Sequence, residues 1–101
     1  MLNPKAPIFE VPEELRGSIL TVFQKESQEL ISDMKQAVQS DNIVQLKACA
    51  HKLKGSCGTI GATNLWEIAT AIEDSSQIES GMVEEAESSF RELSSYISNL
   101  S

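Results

Sequence analysis

The chain is short of histidine, cysteine, aromatics and positive charge, and each shortage removes a class of function. With one histidine and two cysteines in 101 residues, there is no CxxC and no HxxxH pair, the usual spacings for a protein-bound metal. Aromatics make up 5% of the residues and hydrophobics 41%, so any core must be aliphatic. Eight basic residues stand against fifteen acidic ones, a net charge of −7, whereas a nucleic-acid binder ordinarily carries a basic footprint. No apolar run approaches the ~18 residues of a membrane span, so no direct membrane contact is expected. The opening MLNPKAPIFEVPEE has no basic n-region followed by an apolar h-region, so no secretory signal is expected. A cytoplasmic chain would keep Cys49 and Cys57 reduced, as small buried hydrophobes. GTIGA at residues 58–62 lacks the lysine of a P-loop and follows a helical pattern rather than a strand.

What is present is helical periodicity, in four segments, with no convincing strand alternation. The first runs from Pro12 to Gln39, with Pro12 at the first helical position and Glu13 and Glu14 at the positive end of the dipole. Its apolar stripe reads Leu15, Ile19, Val22, Phe23, Leu30, Met34 and Val38, and Gly17 marks a break after a short lead-in helix. Asp41 is placed to cap a second helix, with Leu46, Cys49, Ala50, Leu53, Cys57 and Ile60 as its stripe and Gly61 at its C-terminus. A third begins near Thr63 or Asn64, with Asn64 and Glu67 at capping-box spacing and Leu65, Ile68, Ala69 and Ile72 facing inward. Ser80-Gly81 separates it from a fourth carrying Val83, Ala86, Phe90, Leu93, Ile97 and Leu100. One-sided stripes and short links predict a single all-α domain over residues 1–101. Its architecture is an antiparallel up-down-up-down four-helix bundle over 12–101 behind an extended arm, residues 1–11.

The second segment has another face. His51, Lys54, Gly55, Gly58 and Ala62 recur at helical spacing in one row opposite the apolar stripe. Glycine in a helix interior costs roughly 1 kcal/mol against alanine, and the return here is close approach of another surface to an exposed imidazole. From Asn42 to Trp66 there is no Asp or Glu, while Lys47, Lys52 and Lys54 lie in that window. A local positive charge on an acidic chain predicts a held anion, and Lys54, one turn from His51, suits phosphate as a point charge. Cys49 and Cys57 face away from His51, so neither a shared metal nor a cysteine–histidine nucleophile fits. Neutral imidazole is itself a nucleophile near pH 7. Phosphoryl transfer depends chiefly on positioning and charge stabilisation, so an exposed imidazole beside a lysine fits a phosphoryl carrier.

The stretch A50-H51-K52-L53-K54-G55-S56 resembles the AHxLKGS signature of histidine-containing phosphotransfer (HPt) domains of two-component phosphorelays. The likeness continues through Gly61, Leu65 and Ile72-Glu73, and upstream through Leu20, Phe23, Leu30, Asp41 and Leu46, over residues 15–98. The resemblance implies a bundle with a phosphorylatable histidine midway along its second helix, exchanging phosphoryl groups with aspartates of receiver domains. His51 matches the phospho-accepting histidine, Lys54 the lysine that stabilises the phosphoryl group, and Gly55 the glycine that leaves room for the receiver. The expected docking face takes in Lys47, Ala48, Lys52, Gly55, Gly58 and Thr59. Glu73 falls where members carry Gln or Glu near the imidazole; it can accept the Nδ1–H and leave Nε2 free, while its charge opposes a phosphate placed too close. Such a module is a carrier rather than an enzyme, with no cofactor or metal of its own and Mg²⁺ on the partner receiver. Its expected partners are response-regulator receivers and a hybrid sensor histidine kinase, and it is expected to be a monomer. Two alternatives are a histidine kinase's phosphoacceptor domain, in which Glu or Asp usually follows the histidine instead of Lys52, and a helical bundle that only binds partners.

Overall fold

A computed structural model of the chain describes residues 2–100. Four helices carry the fold: α1 Glu13–Gln39, α2 Ile43–Ile60, α3 Thr63–Asp74 and α4 Ser80–Leu100. Among the described residues there is no strand, only an isolated antiparallel bridge between Leu2 and Ala62. The helices touch in the ring α1–α2–α3–α4–α1. At 1.5 Å per residue α1 spans roughly 40 Å, nearly the whole 42 Å length of the molecule.

Each reversal of the chain has a local cause. α1 ends in a Schellman motif: Asn42 N–H donates to Ala37 O at 2.8 Å and Asp41 N–H to Val38 O at 3.2 Å, with Asp41 in the left-handed region at φ 56°. Asp41 therefore closes α1 and does not cap α2. The cap of α2 is Asn42, whose Oδ1 accepts from Gln45 N–H at 3.1 Å. α2 stops at Gly61, φ 79°, where the N–H groups of Gly61 and Ala62 both donate to Cys57 O. This turn is so tight that α3 starts at once. Asn64 is already helical and makes no capping box; its amide crosses to α4 and donates to Ser89 Oγ at 2.8 Å. Ser80 and Gly81 belong to the first turn of α4, and the α3–α4 link is residues 75–79. Pro12 precedes the first helical residue by one position, and α1 runs unbroken through Gly17.

The core is aliphatic. Met34, Leu46, Leu53, Ile60, Leu65 and Ile72 are the largest of its fully buried side chains, each contributing about 1.5–3 kcal/mol of transfer free energy. The expected stripes of α2, α3 and α4 face inward, with Ile68 and Phe90 only partly buried and the side chain of Leu100 outside the described residues. The α1 stripe differs. Leu15 and Val22 are more than half exposed, while Leu20, Ile31 and Ala37 are buried. Apolar residues stand side by side at Ile19-Leu20, Val22-Phe23 and Leu30-Ile31, so two stripes about 100° apart are both legible in α1. Contact with α2 and α4 selects the second.

The N-terminal arm is not merely extended. Pro7–Glu10 form a 3-10 turn, and Ala6 and Ile8 join the core. Arg16 of α1 donates to the carbonyls of Ile8, Phe9 and Val11 and lies 5.3 Å from the centre of the Phe9 ring, a cation–π distance.

Candidate functional site

The stripe of α2 that faces the core leaves His51 on the opposite side, with its side chain 70% exposed. α3 runs back beside α2 and brings Glu73 alongside. His51 Nδ1 lies 2.5 Å from Glu73 Oε2, so the Nδ1–H donates to the carboxylate. The other ring nitrogen, Nε2, has no protein partner among the described residues. A carboxylate that holds Nδ1–H fixes both the tautomer and the ring orientation, and leaves the Nε2 lone pair available.

Lys54 is nearby but not idle. Its ammonium donates to Glu73 Oε1 at 2.6 Å, so one carboxylate holds the imidazole and the lysine together. The Lys54 hydrogen bond is the main cause that keeps the Glu73 carboxyl below its ordinary range; partial burial opposes it, and His51 adds to it. The three side chains form one polar cluster on the α2–α3 surface.

The rest of the expected face divides. Gly55 is open: a Cβ there would meet nothing within 4 Å. Gly58 lies beside Trp66, whose ring atoms are 3.9 Å from where its Cβ would stand. Ala48 and Thr59 are exposed and Lys47 is half-buried, with the Thr59 hydroxyl turned back to Gly55 O. Lys52 lies on the flank toward α1, lining a shallow hollow with Glu26, Glu29 and Asp33. Ala62 does not continue the row. It is 1% exposed, because α2 has ended and Gly61 has turned the chain inward. Of the exposed apolar residues not read from the sequence, Val44 and Trp66 belong to the α2–α3 side of the bundle. Val44 had a signal, since it precedes His51 by seven residues and so shares its face; Trp66 had none without knowledge of how α3 lies on α2.

Cys49 and Cys57 are free and buried on the core side, and burial pushes the Cys57 thiol up to about 12. Among the described residues no three His, Cys, Asp or Glu side chains group as a metal site. No helix there is long and apolar enough to cross a membrane.

Comparison with known proteins agrees with this fold. The family model described as the Hpt domain matches residues 18–101, which takes in most of α1 and all of α2, α3 and α4. No curated protein and no solved structure gave a significant match. Hpt domains serve as phosphocarriers in phosphorelays, exchanging phosphoryl groups with receiver domains on histidine. A match over most of the chain, on a bundle with a solvent-facing histidine in its second helix, makes this chain a member of the Hpt domain family.

Proposed function

We propose that His51 is the phosphoryl-carrying residue and that it relays the group between aspartates of response-regulator receiver domains. The observation that carries the reading is the 2.5 Å contact of Nδ1 with Glu73 on an otherwise solvent-facing ring, which leaves Nε2 as the nucleophile. The Nε2 lone pair attacks the phosphorus of a receiver aspartyl phosphate. A P–N bond forms, the P–O bond to the aspartate breaks, and the carboxylate leaves with the bonding electrons. Positive charge that develops on the ring is shared with Glu73 through the Nδ1 proton. Lys54 is within reach to offset the phosphoryl oxygens. Gly55 supplies the clearance a receiver needs to bring its aspartate to the ring, with Lys47, Ala48, Lys52, Gly58 and Thr59 around it as the docking face.

In this reading the chain works as a monomer in the cytoplasm, needs no cofactor, and relies on Mg²⁺ bound by the receiver. The donor is a receiver domain such as that of a hybrid sensor kinase. Incubation with a phosphorylated cognate receiver and Mg²⁺ should place an acid-labile, base-stable phosphate on His51, and ATP alone should label nothing. Labelling of His51→Gln, or labelling by ATP, would overturn the proposal.

A further inference from the structure

Residues 2–11 lie outside the segment that matches the Hpt family, yet they are fastened to the end of α2 that carries the glycine row. Asn3 N–H donates to Gly61 O at 2.9 Å, Leu2 bridges Ala62, and Ala6 packs so closely on Gly61 that a Cβ there would overlap it. Between this arm and the helix end opens a surface hollow of about 340 Å³, lined by Asn3, Lys5, Pro7, Gly58, Thr63 and Trp66. Pro7 and the Trp66 ring give it apolar walls, and Gly58 contributes no side chain to it. Lys5 is exposed at its edge, with no ion pair among the described residues.

The hollow is continuous with the His51 face. Gly58 is seven residues beyond His51, roughly 10 Å along α2. A standard interface of about 800 Å² per partner is roughly 30 Å across, so a body centred on His51 also covers Gly58 and reaches the hollow. The charge fits as well. Magnesium is bound through one or two carboxylates together with phosphate oxygens, so the receiver surface that carries the reacting aspartate is acidic, and Lys5 adds a cation at one end of the face while Lys47 stands toward the other.

We propose that the N-terminal arm is part of the surface on which the receiver docks, with the hollow between Lys5 and Trp66 taking an apolar receiver side chain flanked by a carboxylate. The arm then helps to select which receiver exchanges phosphoryl with His51. This rests on the carrier reading given above.

The test uses the full chain, its Lys5→Glu and Trp66→Ala variants, and a panel of phosphorylated receivers, with phosphoramidate as a small donor that needs no docking. For Lys5→Glu, KM for the receiver fastest with the wild-type chain should rise about tenfold, with kcat held, because a charge at an interface rim acts on encounter. The difference should shrink at high salt. Trp66→Ala should raise KM similarly without the salt dependence, and the rank order of receivers should change. Labelling by phosphoramidate should keep its wild-type rate. KM values within twofold of wild type for Lys5→Glu with every receiver would overturn the inference, and because Lys5 is exposed this variant decides even if Trp66→Ala folds poorly. A wild-type chain that accepts phosphoryl from no receiver overturns the carrier reading, and the inference with it.

Discussion

The Lys54 ammonium stands 2.6 Å from Glu73 Oε1, so the cation one turn from His51 is already paired before any phosphoryl group arrives. The same carboxylate accepts from His51 Nδ1. In the proposed carrier, a phosphoryl group on Nε2 competes with Glu73 for Lys54. Glu73 orients the ring and at the same time restrains the residue expected to stabilise the product.

These two effects of Glu73 separate in a pair of variants. Glu73→Gln keeps an acceptor for Nδ1–H but releases Lys54, so the phosphorylated fraction at equilibrium should rise severalfold. Glu73→Ala removes the acceptor too and should slow transfer. Phosphohistidine measured at equilibrium and at early times distinguishes the two, and identical behaviour of the variants would contradict this division of roles.

The pH dependence of folding follows from the same pair. The Glu73 carboxyl is held below its ordinary value, first by Lys54, so its contribution to stability is present above that value and lost as pH falls through the lowered one. The advantage in Tm of the wild-type chain over Glu73→Gln should be full at pH 7 and should begin to shrink as pH falls through the ordinary Glu value of about 4.3. Thermal melts at pH 7 and pH 3 give the comparison.

Lys54→Ala should reduce the transfer rate roughly tenfold to a hundredfold, the equivalent of about 1–3 kcal/mol for a lost hydrogen bond to a charged group. Its effect on folding should be small, as is usual for ion pairs that stay partly solvated. Lys52→Ala is the control: Lys52 lies toward Glu26, Glu29 and Asp33 of α1, and its loss should be mild and salt-sensitive. Equal importance of the two lysines in single-turnover transfer would show that the helical face has been misassigned.

Two glycines, Gly55 inside α2 and Gly61 at its C-cap, should behave oppositely. At Gly55 an added side chain meets nothing, so Gly55→Gln should hold or raise Tm through helix propensity while transfer from a receiver collapses. At Gly61 the left-handed backbone and the contact with Ala6 both oppose a side chain. Gly61→Ala should destabilise by more than about 1 kcal/mol. Denaturant melts and transfer assays on both variants check the contrast.

The features that were legible in the sequence are those decided within a turn or two of helix. α2 has only one apolar stripe, so Leu46 to Ile60 could be read inward and His51 outward without knowing any partner helix. Gly61 follows the last periodic residue, where a left-handed residue ends the helix. Tertiary structure decided the rest, for two physical reasons. Where local signals tie, packing breaks the tie: α1 carries two adjacent stripes, and Asp41 and Asn42 are both capping residues, so only contact with α2 and α4 and the path of the chain assign each role. Where partners are distant in sequence, no local pattern names them. Glu73 was offered beside the imidazole only by the family resemblance, and its pairing with Lys54 by nothing in the sequence; it reaches both because α3 folds back along α2, and the arm finds its seat only once the turn at Gly61 exists. The chain alone thus determined which residue faces solvent with a nucleophilic nitrogen. The family resemblance offered Glu73 as the acceptor of the Nδ1–H, and lateral packing of α3 on α2 is what brings that carboxylate to the ring, because a ring is oriented by the group that holds it.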